Sequence, residues 1–264
     1  MTATDFEYDG LLLSDLGFMI CQFDESTGFN TSSAGSILDV TTIMQNSGRK
    51  HLLVNSKYNE RCEPEFSICK KDGTQVSTDE FAFIMHWLNR PQFSELTILT
   101  PEWQRIHFMC VFNVNKVEHR GKIIGFKLTA ITNSAFGCGD PIQLDFEISE
   151  SNGTQDILDE SDEIGYEYPD YLKIVCNSAG DLVISNSMEA SRKSIFSGCV
   201  AGETIEINGK TMEVSSTSDS NIYDRFNYNY PRIENTALNS INSFTFSLPC
   251  SVSLTYTPTR KVVF

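Results

Sequence analysis

Glu203-Thr204-Ile205-Glu206-Ile207-Asn208-Gly209-Lys210-Thr211-Met212-Glu213-Val214 decides the fold class. Apolar and polar residues alternate on either side of Asn208-Gly209, so Ile205, Ile207, Met212 and Val214 share one face of two extended segments. Asn-Gly can supply the two positive φ angles of a type I′ turn, whose twist matches that of paired strands, and the stretch predicts a β-hairpin. The same signals recur at Leu182–Ser185 and from Phe244 to Tyr256, which makes the second half, from about Tyr171, an antiparallel β-sandwich.

Working outward, the first half shows the same punctuation. Gly10–Leu13, Gly17–Cys21, Lys50–Val54 and Phe66–Cys69 read as strands, and Lys71-Asp72-Gly73-Thr74 as a turn. One helix stands out. Ser77 and Glu80 have the spacing of a capping box, Phe81, Ile84, Met85 and Leu88 fall on one face, and Arg90-Pro91 ends the run. His86 lies off that face and reads as a surface residue. Arg105–Val114 and Lys122–Ala130 form a hairpin closed near Glu118–Gly121. The fold class is therefore mainly β, in two domains, the first a β-sandwich carrying one α-helix.

Charge divides the chain. The 264 residues carry 35 acidic and 20 basic side chains, a net charge of -15. Residues 141–170 hold ten acidic residues and no Lys or Arg, so this segment accounts for -10, residues 1–140 for -5 and residues 171–264 for none. With the turn-like Ser149–Thr154 inside it, the segment reads as an acidic junction between a domain at 1–140 and another at 171–264. Its carboxylates lack the spacing of a calcium loop and read as a solvated face. A surface this acidic repels phosphate and anionic headgroups, which excludes tight nucleic-acid binding and membrane-surface binding as functions. No apolar run is long enough to span a membrane, and Met1–Glu7 lacks the pattern of a secretory signal, so synthesis in the cytoplasm is expected.

Chemistry is sparse. The eight cysteines are scattered, with no C-x-x-C and no zinc spacing, and read as buried thiols in a reducing compartment. His51, His86, His107 and His119 lie in separate segments, none beside a nucleophile signature, and Gly137-Cys138-Gly139 reads as a tight turn. No catalytic residue, metal site or cofactor site is expected, and the chain reads as a non-enzyme. Tyr223, Phe226, Tyr228 and Tyr230 form an aromatic series before Pro231. Packing explains it best, and stacking of Tyr223, Tyr228 and Tyr230 on host-cell saccharide is the alternative function.

The order of elements in the C-terminal half resembles that of the distal tail protein (Dit-like) family of long-tailed bacteriophages. The residues that carry the resemblance are Gly202–Asn208, Phe226-Asn227, Tyr230-Pro231-Arg232-Ile233, Asn235, Asn239, Asn242, Cys250 and the closing Tyr256-Thr257-Pro258-Thr259-Arg260-Lys261-Val262. The N-terminal half is similar through Phe6–Gly10, Ser14, Gly17–Ile20, Gly48-Arg49-Lys50 and Gly125–Thr129. The resemblance implies an N-terminal belt domain that forms a hexameric ring, single or stacked in two, and a galectin-like C-terminal sandwich. It implies as partners the major tail tube protein, the tail hub or tail-associated protein, and receptor-binding or baseplate proteins, all in the virion at the tail tip. Galactose-binding galectins use an ordered His, Asn, Arg and Trp set that is not found here, because both tryptophans, Trp87 and Trp103, lie in the first half. Arg49, Lys50 and His51 are the expected oligomer-interface residues. A ring that DNA passes through works best with an acidic lumen, and the carboxylates of residues 1–140 suit one.

Overall fold

The computed structural model describes residues 3–23, 38–45, 48, 50–58, 61–100 and 105–261. The chain divides into two compact units, residues 1–140 with 260–264, and residues 141–259.

In the first unit the strands are β1 (Asp5–Tyr8), β2 (Leu11–Leu12), β3 (Phe18–Cys21), β4 (Leu38–Met44), β5 (His51–Tyr58), β6 (Glu65–Lys70), β7 (Ser94–Leu99), β8 (Ile106–His119), β9 (Lys122–Thr132) and β10 (Gly137–Cys138). The helix α1 is Thr78–Leu88. One nine-stranded sheet runs β2-β1-β7-β8-β9-β6-β3, with β10 beside β8 and the last strand of the chain, β22 (Thr259–Arg260), beside β10. Among the described residues, β4 and β5 pair only with each other. The long hairpin β8–β9 is closed by Arg120 and Gly121, at φ 50° and 75°, between the paired residues His119 and Lys122. Two positive φ angles define the I′ turn, and here an arginine adopts one of them.

Helix α1 begins as its sequence predicts. Glu80 N–H donates to Ser77 Oγ at 3.2 Å and Ser77 N–H donates to the Glu80 carboxylate at 2.7 Å. The buried face is broader than the expected one, because Trp87 joins Ile84 and Leu88 in it. Trp87 Nε1 donates to the Tyr8 carbonyl at 2.9 Å, and its ring stacks on Phe6 within a cluster that includes Tyr8, Phe66 and Phe112. His86 is exposed, as expected. The expected strand Gly10–Leu13 is shorter, since Leu13–Leu16 turns into a 3-10 helix with Leu13 buried. Gly137-Cys138 forms the strand β10 instead of a tight turn, and the missing side chain of Gly137 makes room for Ile106 and Phe108.

In the second unit, β11 (Ile142–Ile148), β21 (Cys250–Tyr256), β14 (Tyr171–Cys176), β17 (Thr204–Asn208) and β18 (Glu213–Ser216) form a five-stranded sheet in that order. A four-stranded sheet runs β12 (Gly153–Leu158), β20 (Ile241–Phe246), β15 (Gly180–Asn186), β16 (Lys193–Cys199). Alternate residues of both sheets, among them Ile174, Ile205, Val252, Ile184, Phe196 and Phe244, share one core, so the unit is an antiparallel sandwich. A ribbon of β13 (Gly165–Glu167) and β19 (Ile233–Asn235) stands beside the two sheets.

Three sequence expectations fail in this unit. Residues 141–170 are not a junction between domains; they supply β11, β12 and β13, and β11 pairs with β21 along its whole length. Alternation kept one face of β11 and β12 for the core, while the charges went to the other face, so a strongly acidic stretch still folds as strands. Nor does the second unit run on past Thr259, since β22 pairs with β10 of the first unit's sheet. The hairpin β17–β18 forms and keeps Ile205, Ile207 and Val214 on one buried face, but its register and turn differ from the predicted ones: Ile207 lies opposite Val214, where a two-residue Asn208-Gly209 turn would set it opposite Lys210. Asn208 pairs with Glu213 across a four-residue loop in which Met212, at φ 56°, takes the left-handed position. Asn208 Oδ1 accepts from the N–H groups of Lys210 and Thr211 at 3.0 and 3.1 Å. Gly209 is needed for a close approach, because a Cβ there would collide with the Pro169 carbonyl.

Candidate functional site

The first unit gathers one set of side chains that sequence reading left apart. Thr97 and His107 are cross-strand partners on β7 and β8. His107 Nδ1 lies 3.0 Å from Thr97 Oγ1 and 3.0 Å from the Glu95 carboxylate, and its Nε2 lies 3.0 Å from Asp140 Oδ1. A hydroxyl, an imidazole and a carboxylate in series have the order of a proton relay. Thr97 is only 7% exposed, however, so its hydroxyl has no access to a substrate. The arrangement ties β7, β8 and the segment after β10 together. Cross-strand register brings these residues together, which no linear motif could show.

Three of the buried thiols are held inert. Burial pushes Cys110 and Cys250 up to about 12 and Cys62 up to about 11, so none supplies a thiolate nucleophile near neutral pH. All eight cysteines are unpaired with one another by disulfide. Among the described residues no group of His, Cys, Asp and Glu has the geometry of a metal site.

In the second unit Glu203 is buried and accepts from the Val200 N–H at 2.9 Å and from Arg225 Nη2 at 2.6 Å. Arg225 also donates to Asp219 and to the carbonyls of Ser197 and Gly198. These bonds satisfy a buried charge and fix the loops between strands. Glu167 behaves differently. Burial, with the Asp159 and Asp170 charges nearby, pushes its carboxyl up to about 7, against a lowering hydrogen bond from Ser161. Near Tyr230, both guanidinium groups of a small cleft face Glu189: Arg232 at 3.3 Å and Arg192 at 3.7 Å.

The tyrosines of the expected stacking site do not line one open groove. Tyr230 is buried and donates to the Met212 carbonyl at 2.6 Å, while Tyr223 accepts from the Val214 N–H at 2.9 Å. Tyr228 alone is well exposed, at 60%, and its ring stacks on Tyr223. The series serves chiefly to pack, with Phe226 stacked on Phe196 at 4.5 Å.

The β4–β5 ribbon is the most unusual surface of the first unit. Leu38, Val40, Ile43, Met44, Leu52, Leu53 and Val54 are each between 49% and 64% exposed. Lys50 and His51 lie where the chain enters β5 and are exposed, His51 Nδ1 being 3.5 Å from Thr42 Oγ1. Arg49 lies outside the described residues, as does Trp103.

The family described as phage tail protein N-terminal domain matches residues 1–134, and the one described as phage tail C-terminal domain matches residues 136–256. Among solved structures, the chain is similar to the Dit protein (gp 19.1) of phage SPP1, described as a paradigm of the hub adsorption apparatus in phages that infect Gram-positive bacteria. The similarity covers 97% of this chain and 99% of that one with a TM-score of 0.66, at 10% sequence identity, and it is a likeness of fold. No curated protein matches the chain in sequence. With both of its halves matched in this way, the chain belongs to the phage tail protein family and has a mainly β, Dit-like fold.

Proposed function

We propose that the chain is a distal tail protein whose copies form a hexameric ring at the tail tip, joining the tail tube to the tail hub and carrying receptor-binding or baseplate proteins. The β4–β5 ribbon carries this reading. An isolated two-stranded ribbon is at best marginally stable in water, and among the described residues nothing buries either face of this one. Contiguous apolar surface of this kind marks a protein interface. A ribbon on each copy that packs on a different surface of the next makes a head-to-tail contact, which closes into a ring when the rotation allows. Lys50 and His51 belong to that interface because they lie where the chain enters β5, and Arg49 is assigned to it as their neighbour in sequence.

In this reading DNA passes through the lumen without being held. The excess of carboxylates in residues 1–140 repels phosphate, and a lumen lined with Lys and Arg would retain the genome by counterion release. The test is the mass of the full chain in solution by light scattering, alone and with the tube protein as template. Six copies, or twelve in two rings, are expected, and Ile43→Asp combined with Leu53→Asp should return the protein to single copies. A chain that stays monomeric with the tube protein present, or a double variant that still assembles, would sink the proposal.

A further inference from the structure

The second unit carries its own exposed apolar surface, unconnected in sequence to the β4–β5 ribbon. Leu158 on β12 and Ile241 on β20 are directly opposed in an antiparallel pair, and both are exposed. Opposed residues share a face, so the two side chains stand together. Just before Ile241 the chain turns through residues 236–239, closed by Thr236 N–H donating to the Asn239 carbonyl at 2.9 Å. Leu238, in that turn, is 99% exposed. The β13–β19 pairing, with Gly165 opposite Asn235, brings Ile164 beside the start of the same turn, and Tyr166 follows two residues later on the same side. Both are exposed.

This surface is held in shape. Asp159 N–H donates to the Ser240 carbonyl at 2.8 Å, Asn235 Nδ2 donates to the Ser161 carbonyl at 2.6 Å, and the Arg232 guanidinium lies 3.7 Å over the Tyr166 ring. A leucine placed almost wholly in water adds nothing to the core, while covering it would remove its apolar surface from water. A preorganised surface loses little freedom when it binds.

The charge around it says what covers it. Glu160, Asp162 and Glu163 lie between Leu158 and Ile164, within the thirty residues 141–170 that have no basic residue; Glu234 is opposite Tyr166 from outside that stretch, and the nearby Arg232 is taken up by the Tyr166 ring. A second copy of the chain would bring the same acidic rim against itself, so like charges oppose self-association here. A partner with an apolar centre and a Lys- or Arg-rich rim meets both features.

We propose that this end of the second unit docks a basic-rimmed apolar segment of another tail protein. The proposal rests on the reading of the chain as a tail scaffold, and its test separates the two. With p-benzoylphenylalanine in place of Leu238 in assembled tails, irradiation is expected to crosslink the chain to a different tail protein, through a segment of net positive charge identified by mass spectrometry. A crosslink to another copy of this chain, to a net acidic segment, or to nothing would overturn the proposal. Leu238→Ser with Ile241→Ser should lower retention of the crosslinked partner about tenfold or more while the mass of the assembled chain stays the same. Unchanged retention, or a change in the assembled mass, would overturn it as well. A wild-type chain that never assembles would instead defeat the ring and leave the docking result standing.

Discussion

The β8–β9 and β4–β5 hairpins are built from similar residues and end in opposite environments. In β8–β9 the side chains alternate, and Phe108, Cys110, Phe112, Phe126, Leu128 and Ala130 all reach the core. In β4–β5 the apolar residues Leu52, Leu53 and Val54 are consecutive, so they occupy both faces, and neither face finds a core. Alternation marks a strand that has its partner within its own chain. Here loss of alternation goes with a ribbon that finds no core among the described residues.

Four substitutions break or sharpen that contrast, beginning with the largest effect. Phe112→Ala opens a hole in the aromatic cluster around Phe6 and Tyr8 and should cost about 3–5 kcal/mol, measured by urea unfolding. An unaltered midpoint would mean that β8 is not the core strand described here. The same contrast holds for charges. Glu167 has a folded value of about 7, raised from 4.5, so its contribution to stability is fully present below about 4.5 and is lost as pH rises through about 7. Glu167→Gln should flatten that loss, leaving the variant more stable than the parent by roughly 3 kcal/mol at pH 8 and nearly equal at pH 4. Equal urea midpoints at both pH values would refute this account of Glu167.

Gly121→Ala forces a side chain into φ 75° at the I′ turn and should cost about 1 kcal/mol, read from the shift in thermal midpoint. The smallest effect is expected from the other hairpin. Leu53→Ser, measured on chains dilute enough to be monomeric, should stay within about 0.5 kcal/mol of the parent, because Leu53 is 64% exposed in its own unit. A loss comparable to that of Phe112→Ala would show that β4–β5 is part of the monomer's core after all.

Much of the fold was legible because local chemistry and tertiary packing agree. The capping box at Ser77 and Glu80, the alternation of β8 and β9, and the shared face of Ile205, Ile207 and Val214 on β17 and β18 all follow from side-chain spacing. What escaped depends on which segments meet. Nothing local says that Trp87 turns inward to reach the Tyr8 carbonyl, or that Gly209 is a glycine for the sake of Pro169. Acidity hid β11 and β12, since charge density suggested a linker while the uncharged alternate positions were already those of a strand. At the candidate site, neither the Thr97–His107–Asp140 series nor the pairing of Glu203 with Arg225 has a linear signature. The exposure of Leu52, Leu53 and Val54 was out of reach too, because a run of apolar residues suits a buried strand equally well.

The final strand has a consequence for how the molecule is wired. Arg260 belongs with the first unit, and Lys261 reaches Tyr58, donating to its hydroxyl at 2.9 Å. The second unit is therefore spliced into the first and not appended to it, with both of its ends returned to the same host. Such an insert is an exchangeable cassette: residues 141–259 can be traded for another module that begins and ends at the same two points, while a stop codon placed before residue 260 would strip the host sheet of its own last strand.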